Sequence, residues 1–374
     1  MRYYLIAGEA SGDLHASNLM KALKKIDSEA VFCGFGGDLM TAQGLQLVKH
    51  YRELDFMGFV KVAMNLHTIL KNIKICKKNI LDFQPDAVIL LDYPGFNLRI
   101  AKFLKQQRIK NFYYISPQVW AWKQSRVYQI KHNVDRMFVI LPFEQNFYKK
   151  FDCEVDFVGH PLLDSLQNEQ SLFDKIHFLD QHYLQASKPI VALLPGSRRQ
   201  EIKKMLPLMT SLQTDFSNHQ FVIAGVSSVE MGFYKKYSAS SDIPVIQHAT
   251  HDLLRSADAA LVTSGTASLE TALLKTPEII CYKGDYISYL IAKQLIKVNY
   301  IGLPNLIMNK PIVKELIQND FTKINLKNEL SKLLFNPEKR LQVATDYDAL
   351  EQKLGGNGTS EKVAQLIWKR MLEN

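Results

Sequence analysis

Cysteine is scarce in this 374-residue chain: the four present, Cys33, Cys76, Cys153 and Cys281, stand far apart and form no C-x-x-C pair. That spacing argues against both a disulfide framework and a thiolate zinc site, and a reduced, cytoplasmic setting fits it. Long apolar runs are missing too. The start, Met1-Arg-Tyr-Tyr-Leu-Ile-Ala-Gly8, is too short for a signal peptide, and nothing later approaches the roughly 18 consecutive apolar residues of a membrane span. Any membrane contact is therefore expected to be peripheral. No P-loop of the form G-x-x-x-x-G-K-[ST] occurs, and Gly34-Phe-Gly36-Gly37-Asp-Leu39 fails as a dinucleotide fingerprint because Leu39 stands where a third glycine belongs. The ten histidines form no H-x-x-x-H pair, and the D-x-D at Asp346 and Asp348 falls inside a helical pattern. No metal and no cofactor is expected from such a set. Acidic residues are the minority sign: 37 against 46 basic ones, a net +9, which suits an anionic partner such as a nucleotide, a nucleic acid or an acidic membrane surface.

What the chain does contain is an alternation of strand-length apolar runs and amphipathic stretches, the rhythm of a parallel α/β fold. Strands are expected at 2–8, 30–35, 87–91, 111–115, 136–141 and 155–158, with the first helix from about Leu14 to Lys25. The stretch between Val158 and Pro189 turns polar and irregular, as between domains, and the rhythm restarts at 190–194, 220–224, 244–246, 259–262 and 278–281. Two doubly wound domains, 1–165 and 166–345, are expected to face each other across a ligand cleft, followed by helices at 346–374.

Chemistry concentrates at the carboxyl ends of these strands. Residues 262–277 place Gly265 after a buried strand and before a helix reaching Lys275, with Thr266 or Ser268 as the cap; free N–H groups and the helix dipole would cradle a phosphate. An ordinary capped helix would account for the same residues. Gly196, Ser197 and Arg198 follow the strand at 190–194 and offer a tight turn, a donor and a fixed charge to a diphosphate. Asp92 ends the run 87–91, a position for a general base or for a loop aspartate, with Asn97 as the next helix cap. Glu9 points to the same sheet edge, or caps its own turn. His160 reads as a hinge or packing residue, and Trp120 and Trp122 either flank an apolar entrance or fill a core. Residues 56–78 mix large apolar side chains with Lys61, Lys71, Lys74, Lys77 and Lys78, as does a helix lying on an anionic bilayer or one packed on the sheet with its lysines in water.

The motifs Gly-Glu-Ala-Ser-Gly-Asp, Ile-Ser-Pro-Gln-Val-Trp-Ala-Trp, Val-Gly-His-Pro-Leu, Leu-Pro-Gly-Ser-Arg, Thr-Ser-Gly-Thr-Ala-Ser-Leu-Glu and Leu-Pro-Asn-Leu-Ile occur in that order. Taken together they resemble the lipid-A-disaccharide synthase family over residues 1–318. The resemblance implies a GT-B architecture, two Rossmann-like domains with the C-terminal helices returning to the first. It implies an inverting transfer of 2,3-diacylglucosamine from its UDP donor to 2,3-diacylglucosamine 1-phosphate (lipid X), giving a β-1,6 link and UDP without a metal. Asp92 would then be the base. Gly196, Ser197, Arg198, Gly265 and Thr266 would hold the donor, Glu270 its ribose, Asn305 the nucleotide or its phosphates, and Glu9 one of the sugars. At Met308-Asn309-Lys310 the chain departs from relatives, which more often carry a small residue, an acid or glycine, and then arginine. Acylated substrates favour the membrane reading of Phe56, Phe59, Val60, Met64, Leu66, Lys71 and Lys74 at the cytoplasmic face of an anionic inner membrane. No nucleic acid partner is implied, and a homodimer is compatible. The rival readings are a UDP-N-acetylglucosamine 2-epimerase-like isomerase and a non-catalytic sugar-nucleotide or lipid binder.

Overall fold

The computed structural model describes residues 1–54, 66–122, 124–170, 173–284 and 299–373. The chain forms two compact units: residues up to Asp164 together with those from Leu354 onward, and Ser165–Lys353. In the first unit the apolar runs become β1 (Arg2–Ala7), β2 (Val31–Gly36), β3 (Leu45–His50), β4 (Ala87–Leu91), β5 (Asn111–Tyr114), β6 (Arg136–Val139) and β7 (Asp156–Phe157). They form one parallel sheet in the order β3-β2-β1-β4-β5-β6-β7. The second unit contributes β8 (Ile190–Leu194), β9 (Gln220–Gly225), β10 (Val245–Gln247), β11 (Ala259–Thr263), β12 (Glu278–Tyr282) and β13 (Lys314–Ile317) in the order β10-β9-β8-β11-β12-β13. Each is a doubly wound α/β sheet, as expected.

Strands covered on both faces can be apolar throughout, and β1 shows how. Tyr4 and Ile6 join one core with Val88, Leu90, Cys76 and Ile80, while Tyr3, Leu5 and Ala7 face Leu19, Met20 and Leu23 on the other side. Burying each large apolar side chain contributes about 1.5–3 kcal/mol. The second core also takes Val363, Ala364 and Ile367, so the last helix, Thr359–Leu372, packs on helix Ala10–Ile26. Asp164 ties its start down by accepting from Gly358 N at 2.7 Å and Ser360 N at 3.2 Å. All four cysteines are buried and free.

Several local expectations need correction. The first helix begins at Ala10, four residues before Leu14. The polar stretch after Val158 holds two helices, Pro161–Gln170 and Lys175–Gln181, the second capped by Asp174 accepting from Ile176 N and His177 N. Strands β3 and β13 lie at sheet edges and were not anticipated, because Leu-Gln-Leu-Val-Lys-His and Lys-Glu-Leu-Ile are too polar to stand out. Phe56, Phe59, Val60 and Met64 lie outside the described residues. From Leu66 a helix runs to Phe83, burying Ile73, Cys76 and Ile80 and leaving Lys71, Lys74 and Lys78 exposed. No described helix is long and apolar enough to cross a membrane.

Candidate active site

Parallel sheets collect the loops that follow their strands along one edge, and ligands bind where the strand order reverses. In the first sheet the reversal falls between β1 and β4, with Ala7 opposite Leu91; in the second it falls between β8 and β11, with Leu194 opposite Val262. Glu9 and Asp92 follow the first pair of strands, and Gly196–Arg198 and Gly265–Thr266 follow the second. Each unit therefore gathers its two selected segments at its own switch point.

Strand β4 ends in two consecutive left-handed residues, Asp92 at φ 41° and Tyr93 at φ 45°. Such conformations cost on the order of 1–3 kcal/mol each and need surrounding bonds to hold them. Asp92 N donates to Tyr114 O at 3.2 Å, and the Tyr113 hydroxyl donates to the Asp92 carbonyl. Asn97 Nδ2 donates to the carbonyls of Leu91 and Asp92 at 3.0 and 2.9 Å. Asn97 is thus not the helix cap expected of it: the helix already starts at Pro94, and Asn97 reaches back to clamp the strand end. Tyr93 donates to Leu54 O at 3.1 Å.

Burial, and after it the charge of Glu9, push the Asp92 carboxyl up to about 7, further than the Tyr93 N–H lowers it. A second buried carboxyl lies along the same edge. Glu144, 1% exposed, accepts from Leu141 N at 2.9 Å and from Trp120 Nε1 at 3.3 Å. Trp120 also meets Phe143 edge-on, so it belongs to the core. Burial raises the Glu144 carboxyl to about 7 although its hydrogen bonds act to lower it. His160 is 8% exposed and held near 3 by burial; its Nδ1 accepts from Leu162 N, which makes it a packing residue.

In the second unit, Gly265 is the N-cap of helix Thr266–Leu273, at φ 158° and ψ −163°, a region that essentially only glycine occupies. An added β-carbon there would meet none of the described residues within 4 Å, so among them the ground above the helix N-terminus is open. Neither Thr266 nor Ser268 caps through its side chain, because the Ser268 hydroxyl donates to Gly265 O at 2.8 Å instead. The helix stops at Leu273, before Lys275, which is left-handed at φ 62° and paired to Asp348 and Glu351. The hydroxyl of Thr263, at the end of β11, is buried with no hydrogen-bond partner among the described residues.

Arg198 is 70% exposed, and its guanidinium lies 3.3 Å from Glu201. Glu270 stands 3.5 Å from His251 Nε2. Asn305 is fully buried: its Nδ2 donates to Val313 O and Glu315 Oε1, both at 2.8 Å, and its Oδ1 accepts from Val313 N at 2.8 Å. Glu315 also accepts from Ile301 N and Gly302 N, and Ser264 Oγ donates to Ile301 O at 2.9 Å. The Asn305 amide therefore braces the segment that touches the glycine turn. Lys310 is paired with Asp346 at 2.6 Å. Sequence reasoning missed Glu201, His251 and Glu315; only Glu201 carried a signal, an acid three residues into a helix. No group of three or more metal-ligating side chains occurs among the described residues.

The profile described as lipid-A-disaccharide synthetase matches residues 3–368. The chain belongs to that family. Lipid-A-disaccharide synthase of Syntrophus aciditrophicus is 40% identical over 367 residues, covering 96% of this chain and 95% of that one. The synthase of Geobacter metallireducens is 37% identical, over 98% and 96% of the two chains. Among solved structures, a UDP-GlcNAc 2-epimerase from Neisseria meningitidis bound to UDP-GlcNAc superposes with a TM-score of 0.68 at 12% identity, covering all of both chains. The glycotransferase of kitacinnamycin gives 0.66 at 13%, covering 99% of each. These two share the fold alone, and the epimerase likeness does not favour an isomerase. As a member of the lipid-A-disaccharide synthase family the chain is a glycosyltransferase of GT-B architecture.

Proposed function

We propose that the chain transfers 2,3-diacylglucosamine from UDP to the 6-hydroxyl of lipid X with Asp92 as general base. The observation that carries this is the raised Asp92 carboxyl beside Glu9 at the β1/β4 switch point. A carboxylate near its usual value is a weak base; one held near 7 accepts a proton effectively at neutral pH. Asp92 takes the hydroxyl proton as the oxygen attacks the anomeric carbon from the face opposite UDP. The bond to the β-phosphate oxygen breaks, and its electron pair leaves with UDP, which gives inversion.

Negative charge grows on the departing diphosphate. The open N-terminus at Gly265–Thr266 and the Arg198 guanidinium stabilise it, which accounts for chemistry without a metal. Glu270, beside His251, faces the ribose. Asn305 acts through the segment it braces rather than by contact. Glu9 has two roles in this reading: it binds a sugar, and its charge keeps the Asp92 carboxyl basic. Both substrates carry acyl chains, so residues 56–66 with Lys71 and Lys74 would rest on the anionic cytoplasmic face of the inner membrane.

Product analysis tests the whole reading. Incubation with both acylated sugars should yield UDP and a disaccharide in equal amounts; epimerised donor with no disaccharide would sink it.

A further inference from the structure

The turn assigned to the donor diphosphate already holds an anion. Ser197 N and Arg198 N both donate to Glu201 Oε2, at 3.2 and 3.3 Å, and Arg198 Nη1 donates to Glu201 Oε1 at 3.3 Å. Two amides and a guanidinium converging on two oxygens of one planar anion form the same donor set that a phosphate group would use. The turn is closed tightly over this carboxylate: a β-carbon on Gly196, at φ 111°, would lie 2.5 Å from Glu201 Oε2. The Glu201 side chain is nonetheless 27% exposed and all three contacts face solvent, so it can swing out into water.

We infer that Glu201 is an internal competitor for the diphosphate and sets the affinity for UDP. This rests on the donor reading of Gly196–Arg198 given above. An N–H donates fully to only one strong acceptor, so the amides of Ser197 and Arg198 serve either Glu201 or the ligand. If the ligand takes them, the carboxylate must leave and its three hydrogen bonds are lost. If the carboxylate stays, a like charge stands at hydrogen-bond range from the phosphates. Either way Glu201 subtracts from binding. It also selects for ligands carrying enough charge to displace it, and it refills the turn as UDP departs.

Titration calorimetry on the full chain with UDP, UMP and uridine tests this. Removing the charge in Glu201→Gln is expected to tighten UDP binding about fivefold, the scale of an exposed ion pair, to tighten UMP less and to leave uridine unchanged. Glu201→Asp, too short to reach both amides, should tighten UDP as well, and thermal melts of both variants verify that they are folded. UDP binding that is unchanged or weaker in these folded variants overturns the inference. Arg198→Ala separates the two levels: it should weaken UDP at least ~10-fold, and unchanged binding there would remove the donor reading itself.

Discussion

A β-carbon on Gly8 would lie 2.4 Å from Cγ of Tyr93, closer than two carbons ever approach without bonding. The end of β1 and the strained turn after β4 are therefore fitted to each other at one missing methyl group. In Gly8→Ala the ring must move, taking with it the Leu54 hydrogen bond and the left-handed Asp92–Tyr93 pair. We expect a loss of about 1–3 kcal/mol in thermal or urea unfolding, together with a fall in kcat at unchanged UDP affinity. A variant as stable and active as wild type would show that the ring is not held there.

Asp92→Asn keeps the size of the side chain and removes its basicity. Turnover should fall at least ~100-fold while UDP titrates normally. Full activity would refute the base assignment.

Glu9 raises the Asp92 carboxyl by charge alone, a smaller cause than burial. Removing that charge in Glu9→Gln lets Asp92 ionise at lower pH. With Asp92 as the base, the acid limb of the kcat/KM profile is expected near 7 in the wild type and at lower pH in this variant, and an unmoved limb would separate the two residues.

Two buried carboxyls fix the sign of a stability change with pH. Burial holds the Glu144 carboxyl at about 7 and the Glu278 carboxyl well above its usual range, and neither Glu278 oxygen has a hydrogen-bond partner among the described residues. Both are raised above the unfolded value of about 4.3, so their protonated forms suit the fold. The stability they provide is complete below that value and is lost as pH rises, for Glu144 until about 7. Glu278→Gln should therefore be more stable than wild type at pH 8 and nearly equal to it at pH 4.5. Equal stabilities at pH 8 would count against a neutral buried acid.

Replacing Phe59, Val60 and Leu66 by serine should weaken flotation with anionic vesicles and spare the fold, since the helix beyond Leu66 is anchored by Ile73, Cys76 and Ile80. Unchanged flotation would leave packing as the whole role of that stretch.

Much of the fold was legible because buried parallel strands are continuous apolar runs; the runs at 87–91 and 190–194 match β4 and β8 to the residue. Two of the four edge strands were not, since β3 and β13 are half-polar and look like loops, whereas β7 and β10 were expected at 155–158 and 244–246. Site candidates could be chosen from strand ends because a parallel sheet sends every following loop to one edge. What the order of residues could not reveal is pairing at a distance. Glu9 acts on Asp92 across 83 positions of sequence, His251 meets Glu270, and Glu315 takes the amides before the helix at Leu303. The Asn97 cap failed for a related reason: Pro94 starts the helix by fixing its own φ, which frees the amide for the strand end.

The last helix bears on how the protein is made. Its Val363, Ala364 and Ile367 close the face of Ala10–Ile26 that Leu19 and Leu23 line, yet 189 residues of the other unit are translated first. During synthesis the first sheet must wait with that face open, while Ser165–Lys353 can fold as soon as it emerges. Until Val363, Ala364 and Ile367 have left the ribosome, the first unit therefore carries an uncovered apolar face, the stage at which a chaperone would be most needed.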